Sequence, residues 1–163
     1  MTTLQYRIGI GYDIHRLEPN SDLIIGGVKI PFEKGLFGHS DADVLIHAVI
    51  DAMLGALALP DIGTLFPDTD EKYKGISSVI LLEHVYALVL EKGYKINNID
   101  SNIIAQEPKM MPYIPEMKKI LAKTLKIDAD LISIKAKTNE KMDAVGECKA
   151  IEANAVVMLV KVE

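Results

Sequence analysis

The chain has 163 residues, of which 49% are hydrophobic and 25% charged, and its formal net charge is −5. This length and composition predict one globular domain over residues 1–163 rather than a disordered chain. The negative charge disfavours non-specific binding to nucleic acid, which normally requires a basic surface. No apolar run reaches the ~18 residues of a membrane-spanning helix, so we expect no contact with a membrane either.

Cysteine usage and the N-terminal sequence bear on the compartment. The single cysteine, Cys148, cannot form a disulfide within the chain, which favours a reducing compartment. The N-terminus lacks the basic region and apolar core of a secretory signal. We therefore expect a cytoplasmic protein, with a plastid-type organelle as the alternative if a transit peptide has been removed.

The N-terminal segment predicts a strand followed by a hairpin. Residues 6–12 are β-prone, with glycines where other groups can approach closely. Leu23–Ile25 and Val28–Ile30 are separated by Gly26 and Gly27, which is typical of two strands joined by a two-residue turn.

A helix is predicted over residues 41–59, where a proline ends it. Ser40 is the predicted N-cap. Asp43, His47 and Asp51 lie at positions i, i+4 and i+8, so they form one polar stripe on an otherwise apolar helix. Such a stripe faces either bulk water or a functional site.

About fifteen residues without periodicity follow this helix and end at Gly75. A loop of this length inside a compact domain is usually functional or mobile. The acidic and hydroxyl side chains within residues 61–70 are consistent with two interpretations, the binding of a polyol and a solvated turn.

The second half of the chain alternates between helices and strands. Helices are predicted over residues 77–92 and Ile114–Leu125, and strands over residues 99–106, 132–138 and 154–162. His84 is predicted to be a surface or packing residue, because no ligand-type neighbour shares its helix face. The element order predicts an α+β fold, a two-layer sandwich in which helices pack on one face of a mixed β-sheet.

Asp13, His15 and His47 are of the residue types that bind metal ions, and their side chains can point toward one another. Asp13 and His15 point the same way, because side chains alternate across a strand. With His47 they supply one oxygen and two nitrogens, a set that catalytic zinc takes while keeping a fourth position for water or substrate. The alternative is structural, with Asp13 in a turn and His47 hydrogen-bonded in the core. Asp51, one turn beyond His47, is a candidate to orient a ligand by a hydrogen bond.

Lys137, Thr138, Asn139 and Glu140 follow a predicted strand and offer an ammonium, a hydroxyl and a carboxylate. A diphosphate accepts hydrogen bonds from the first two, whereas Glu140 reaches it only through a divalent cation. The sequence contains no G-x-x-x-x-G-K-[ST] phosphate loop and no G-x-S-x-G nucleophile elbow. These residues alone predict a metal-assisted phosphate or diphosphate enzyme.

Five motifs in order carry a family resemblance that spans nearly the whole chain: G-Y-D-I-H, I-I-G-G-V-K-I-P, H-S-D-A-D-V-L-I-H-A, D-I-G-T-L-F-P-D-T-D and I-I-A-Q-E-P-K-M-M-P. The chain resembles the 2-C-methyl-D-erythritol 2,4-cyclodiphosphate synthases, lyases of non-mevalonate isoprenoid synthesis. The resemblance implies conversion of 4-diphosphocytidyl-2-C-methyl-D-erythritol 2-phosphate into the cyclic diphosphate and CMP. The alternatives are a zinc-dependent phosphoesterase on a related nucleotide-diphospho polyol and a non-catalytic trimeric nucleotide-binding protein.

The resemblance also implies roles for individual residues. Zinc is bound by Asp13, His15 and His47, and magnesium or manganese by Glu140. His39 and Thr138 stabilise the transition state, and Ser40 contacts phosphate. The methylerythritol is held by Asp61, Ile62, Gly63, Phe66, Pro67, Asp68, Thr69 and Asp70. The cytosine pocket is lined by Ala105, Gln106, Glu107, Pro108, Lys109, Met110 and Met111. The candidate substrate-binding residues identified above from their types alone, Lys137, Thr138, Asn139 and Glu140, complete the predicted set.

The resemblance further implies a homotrimer, with active sites between neighbouring subunits and a central cavity. Ala144 and Glu147 stand where many members have the phenylalanine and arginine of that cavity. Because that arginine can bind an isoprenoid diphosphate, its replacement by Glu147 reverses the charge. We therefore predict that this protein does not bind isoprenoid diphosphates through that position, although Lys149 is a possible substitute.

Overall fold

The computed structural model describes residues 5–162. Its strands are β1 (Tyr6–Pro19), β2 (Leu23–Ile25), β3 (Val28–Ile30), β4 (Lys34–Phe37), β5 (Tyr94–Ile104), β6 (Ile132–Lys137) and β7 (Ala150–Lys161). Its α-helices are α1 (Val44–Ala56), α2 (Ile62–Leu65), α3 (Ser78–Glu91), α4 (Ile114–Leu125) and α5 (Asp143–Gly146). Single 3-10 turns lie at Glu71–Tyr73, Met111–Tyr113 and Ala129–Leu131. None of the helices within residues 5–162 is long and apolar enough to cross a membrane.

Five strands form one mixed sheet in the order β4-β1-β7-β5-β6. The β5–β6 pair is parallel and the other pairs are antiparallel. β2 and β3 form a separate hairpin, and Gly26 and Gly27 have φ values of 60° and 75°, as a two-residue hairpin turn requires. The α+β fold with helices against a mixed sheet is confirmed.

The two faces of β1 differ sharply. Gly9, Gly11, Asp13 and His15 share the face that meets α1, where a Cβ on Gly9 or Gly11 would lie 1.9 or 1.8 Å from a carbonyl oxygen of α1. Glycine is therefore required for α1 to lie directly on this strand. The opposite face is apolar and exposed, with residues that are 43–73% accessible: Tyr6, Ile8, Ile10, Tyr12 and Ile14.

The start of α1 differs from the prediction. The helix begins at Val44, and its N-cap is Asp43 rather than Ser40. The buried Asp43 carboxylate accepts hydrogen bonds from the backbone N–H of Ile46 at 3.0 Å, Gly26 at 2.9 Å and Gly27 at 2.7 Å. Asp43 therefore ties the hairpin turn to the start of α1 and does not face water or the site. At the other end, α1 stops at Ala56, before the predicted end at residue 59.

Strand pairing extends three predicted strands. β1 continues through Asp13 and His15 because residues 6–16 pair with β7 along their whole length. β5 and β7 likewise begin about four or five residues earlier than predicted, since each has a partner there. Helices α3 and α4 lie where the sequence predicts them, and His84 on α3 is exposed as expected.

Candidate active site

Asp13 and His15 lie where β1 passes beneath the start of α1, on the face that carries the two close-packed glycines. The Nδ1–H of His15 donates to the carbonyl oxygen of Phe37 at 3.0 Å. Since that carbonyl can only accept, the bond leaves Nε2 of His15 free to point at Asp13 and His47. His47, which is 9% exposed, enters from α1.

Three ligand-type atoms converge between these side chains. Oδ2 of Asp13 lies 3.0 Å from Nε2 of His15 and 3.0 Å from Nδ1 of His47, and the two nitrogens are 3.4 Å apart. Metal–ligand distances of ~2.0–2.1 Å in a tetrahedral site correspond to ligand–ligand separations of about 3.3 Å. The residues therefore fit a divalent metal ion, which favours the metal interpretation over the purely structural one.

The cluster is electrostatically coupled. Burial raises the pKa of Asp13, but hydrogen bonds from His15 and His47 outweigh this effect and bring it below its ordinary value. Burial lowers the pKa of His15, but the hydrogen bond and charge of Asp13 outweigh this effect and raise it. Asp13 is therefore ionised at neutral pH, and a metal ion competes with a proton at His15.

The three residues open onto a cavity of about 310 Å³. It is lined by Asp13, His15, His39, Ser40, His47, Ile62, Gly63, Phe66, Asp68, Tyr73 and Leu81. The structure thus brings residues of the aperiodic loop against the predicted metal ligands. Tyr73 and Leu81 were not predicted, although Leu81 lies on the apolar face of the predicted helix α3.

The other loop residues shape this cavity without lining it. The Asp61 carboxylate accepts from the Thr64 N–H at 2.9 Å and caps α2. The Asp70 side chain pairs with Lys72 at 3.0 Å, while its carbonyl accepts from Nε2 of His39 at 3.2 Å. His39 therefore connects the wall of the cavity to the loop at Asp70. Pro67 and Thr69 are not among the lining residues.

Asp51 has a different partner from the one predicted. Its carboxylate accepts from the backbone N–H of Ile62 at 2.7 Å, and this hydrogen bond anchors α2 to α1. Within the described chain, Nε2 of His47 instead meets Oγ of Ser78 at 2.8 Å and Oγ of Ser40 at 3.2 Å. The prediction that Asp51 orients His47 by a hydrogen bond is therefore wrong, because Asp51 lies one helical turn beyond His47, where its carboxylate reaches the start of α2.

A second cleft of about 240 Å³ contains most of the residues predicted for the nucleotide end. Its lining residues are Ala105, Gln106, Pro108, Lys109, Met110, Met111, Ala136, Lys137 and Thr138. Ala136 was not predicted, and Glu107 and Asn139 do not line the cleft. Beside it, Thr138 donates to the exposed Glu140 carboxylate at 3.1 Å, and the Lys141 N–H donates to Gln106 at 3.1 Å.

Sheet register separates this second cleft from the metal-ligand cluster. Ile14 pairs with Glu152, Glu152 with Ile104, and Ile104 with Lys137, so these residues form one row across the sheet. With neighbouring strands ~4.8 Å apart, the row spans about 14 Å. Within one chain, Glu140 and the three metal-ligand candidates therefore belong to separate sites.

Comparisons with known proteins agree on one family. The model of the YgbB family matches residues 6–160. A 2-C-methyl-D-erythritol 2,4-cyclodiphosphate synthase from Clostridium perfringens is 57% identical over 155 residues, which cover 95% of this chain and 99% of that protein.

Solved structures give the same result. IspF from Plasmodium falciparum, in a CDP complex, is 40% identical with a TM-score of 0.86 and 97% of each chain covered. The bifunctional IspDF from Campylobacter jejuni is 38% identical with a TM-score of 0.95. The match covers 99% of this chain but only 44% of that longer protein.

Proposed function

Since this chain belongs to the YgbB family, we propose that it is a lyase of non-mevalonate isoprenoid synthesis that forms 2-C-methyl-D-erythritol 2,4-cyclodiphosphate. Its substrate is 4-diphosphocytidyl-2-C-methyl-D-erythritol 2-phosphate. An oxygen of the 2-phosphate attacks the β-phosphorus, and the bond from that phosphorus to the CMP oxygen breaks. The observation that carries the proposal is the convergence of Asp13, His15 and His47 on one cavity.

Such a displacement within one molecule requires positioning and charge neutralisation rather than a covalent intermediate. We assign zinc to Asp13, His15 and His47, because one carboxylate and two imidazoles are a donor set of catalytic zinc. When bound, zinc supplies a Lewis acid for a phosphate oxygen.

The residues around the cavity then bind the rest of the substrate. Ile62, Gly63, Phe66 and Asp68 line the cavity and contact the methylerythritol, with Asp61, Pro67, Thr69 and Asp70 maintaining the loop. Ser40 donates to a phosphate. His39 lies on the wall of the same cavity, and Thr138 lies in the second cleft. Both donate hydrogen bonds to the phosphate oxygens on which negative charge builds up in the transition state.

We assign the second cleft to the cytidine diphosphate end of the substrate. The CDP complex of the Plasmodium relative supports a nucleotide subsite in this chain. The ammonium groups of Lys109 and Lys137, which line the second cleft, support its assignment to the diphosphate-bearing end. Glu140 would hold Mg²⁺ or Mn²⁺, which would neutralise charge on the diphosphate, because hard cations prefer carboxylate and phosphate oxygens. Its exposed carboxylate beside Thr138 supports this role.

We propose that the active protein is a homotrimer with sites between subunits. The zinc ligands and Glu140 must act on one diphosphate, yet the sheet register separates their sites by about 14 Å within a chain. If Glu140 comes from a neighbouring copy of the chain, it can lie beside the zinc ligands despite their separation within one chain. The exposed apolar face of β1 supports the proposal, since an apolar patch of this kind is typical of an interface.

We place this enzyme in the cytoplasm. Cys148 is a free thiol, as expected in a reducing compartment. The relative from Clostridium perfringens is bacterial, which supports the same location.

The proposed reaction is tested by incubating the zinc- and magnesium-loaded protein with the diphosphocytidyl substrate and following phosphorus NMR. We expect CMP and a cyclic diphosphate in equal amounts. A linear diphosphate would instead indicate a phosphoesterase, and saturable cytidine binding without turnover would indicate a nucleotide-binding protein. Either result contradicts the proposal.

Glu140→Gln is expected to lower turnover about a hundredfold or more while zinc content stays at the wild-type level. The substitution keeps the side-chain shape but removes the charge that holds the second cation, whose electrostatic contribution is several kcal/mol. Turnover and zinc content are measured on the same preparation. Glu91→Gln, at an exposed end of α3, is the control and should change neither. Zinc loss in Glu140→Gln would mean that the two metal sites are assigned incorrectly.

The wild-type protein is expected to show no saturable binding of geranyl diphosphate in titration calorimetry. The Glu147 carboxylate repels a diphosphate and also forms an ion pair with the Lys149 ammonium, so Lys149 is not a free substitute for the missing arginine. Glu147→Arg, which reverses the charge, should bind the ligand more tightly than the wild type. Binding by the wild type in the neighbourhood of Glu147 would overturn this prediction.

A further inference from the structure

We propose that Ser78, held by Asp41, is a positioning residue that fixes the tautomer of His47. Ser78 is the first residue of α3 and is wholly buried. Its Oγ lies 2.8 Å from Nε2 of His47, and its hydroxyl donates a hydrogen bond to Oδ1 of Asp41. Neither Ser78 nor Asp41 lines the cavity, so both act through His47.

The direction of each hydrogen bond follows from the donors and acceptors. The Asp41 carboxylate can only accept, so the hydrogen of the Ser78 hydroxyl points at Asp41. Oγ of Ser78 then presents only lone pairs to His47, and Nε2 must carry the ring hydrogen. The Asp13 carboxylate also only accepts, so in the absence of a metal it attracts a hydrogen at Nδ1. When a metal ion takes the place of that hydrogen, the neutral ring keeps its hydrogen on Nε2 and presents the lone pair of Nδ1 to the space between Asp13 and His15.

The position of Asp41 is fixed by the backbone as well. The N–H of Ser78 donates to Oδ2 of Asp41 at 2.9 Å, and the N–H of Asp41 donates to the carbonyl of Ile76 at 3.1 Å. The neighbouring Ser77 is the N-cap of α3 but makes no capping hydrogen bond through its side chain. The Asp41 carboxylate thus accepts the hydrogen bond that caps the start of α3, and it also orients the Ser78 hydroxyl.

Ser40 does not replace Ser78 in this role. Its Oγ approaches the same nitrogen at the longer distance of 3.2 Å, and it lines the cavity where we assign it to phosphate. Ser78 is fully buried, so its hydroxyl is not available to a substrate in the cavity. Hydrogen-bond partners of a metal-binding histidine typically contribute 10–100-fold in metal affinity.

The inference rests on the proposed function, because it takes Nδ1 of His47 as a metal ligand. It is tested by measuring zinc affinity in competition with a chromophoric chelator. Ser78→Ala is expected to bind zinc about 10–100-fold more weakly than the wild type. Ser77→Ala, which changes the adjacent serine at the same helix end, is the matched control and should retain wild-type affinity. Affinity within about twofold of the wild type in Ser78→Ala would overturn the inference.

Asp41→Asn is the second variant, and it keeps the shape of the side chain. The Asn carbonyl must accept from the Ser78 N–H, so its amide faces Oγ as a donor and the serine hydrogen is no longer held away from Nε2 of His47. We expect a similar loss of zinc affinity and loss of the slowly exchanging Nε2–H signal in nitrogen–proton NMR of the zinc-loaded protein. Wild-type affinity and an unchanged signal in this variant would exclude the role of Asp41.

These measurements separate the inference from the proposed function. Turnover of the wild-type protein tests the reaction, whereas zinc affinity of the variants tests the hydrogen-bond chain. A wild-type protein that forms the cyclic product while Ser78→Ala binds zinc normally overturns the inference alone. Zinc binding that depends on Ser78 without any turnover overturns the proposed function alone.

Discussion

His47→Ala is expected to remove stoichiometric zinc and to lower turnover about a thousandfold or more. His47 supplies the only candidate ligand that comes from α1, with Nδ1 at 3.0 Å from Oδ2 of Asp13. Asp13 and His15 alone offer two ligands, too few for a stable zinc site. Because Lewis-acid catalysis contributes several kcal/mol and 1.36 kcal/mol is tenfold in rate, the loss amounts to about three orders of magnitude.

The measurement is elemental analysis of the protein after reconstitution with zinc, together with turnover. His84→Ala is the matched control, because His84 is an exposed histidine on α3 outside the group of metal-ligand candidates. It should retain both zinc and activity. Stoichiometric zinc in His47→Ala would show that the metal site is assigned incorrectly.

Gly11→Ala is expected to lower the free energy of unfolding by about 3 kcal/mol, the upper part of the usual range for overpacking a core. An added Cβ would lie 1.8 Å from the carbonyl oxygen of Ala48 and 2.8 Å from the backbone nitrogen of Ala52. These are backbone atoms of α1, so no side-chain rotation relieves the clash and the helix must move away from β1. Zinc affinity should fall as well, because His47 moves with α1 while Asp13 remains on β1.

The control for Gly11→Ala is Gly55→Ala in the same helix–strand interface. A Cβ on Gly55 would lie 3.7 Å from its nearest neighbour, which is ordinary van der Waals contact. Because alanine is favoured over glycine inside a helix, this variant should gain about 0.5–1 kcal/mol. Urea unfolding of both variants at one fixed protein concentration gives the comparison. An unchanged midpoint in Gly11→Ala would contradict the close approach of α1 and β1.

Local pattern was enough to predict most of the fold. The bounds of α4 match the prediction. They depend only on nearby residues, namely the apolar spacing along the helix and the turns that flank it at Met111–Tyr113 and Ala129–Leu131. The Gly26-Gly27 turn was predicted for the same reason, since positive φ at both positions is a local requirement. The alternation of side chains on β1 likewise places Asp13 and His15 on one face, as predicted.

Long-range contacts account for the main errors. Asp43 replaces Ser40 as the N-cap because its carboxylate also accepts from Gly26 and Gly27 of a distant hairpin. Asp51 bonds to α2 rather than to His47, since the chain returns to α1 after Leu57. A pattern of polar positions along one helix cannot identify partners that come from other elements.

The candidate site, like the fold, has features that follow from the sequence and features that depend on tertiary contacts. The sequence by itself determined which residue types are available for a metal and, through the family resemblance, which roles to expect of them. Only the tertiary structure decided that three ligand atoms lie 3.0–3.4 Å apart, that Ser78 rather than Asp51 meets His47, and that Glu140 lies across the sheet from them. Distances between side chains depend on how closely α1 packs on β1 and on the register of paired strands. Both are set by contacts between residues far apart in the chain.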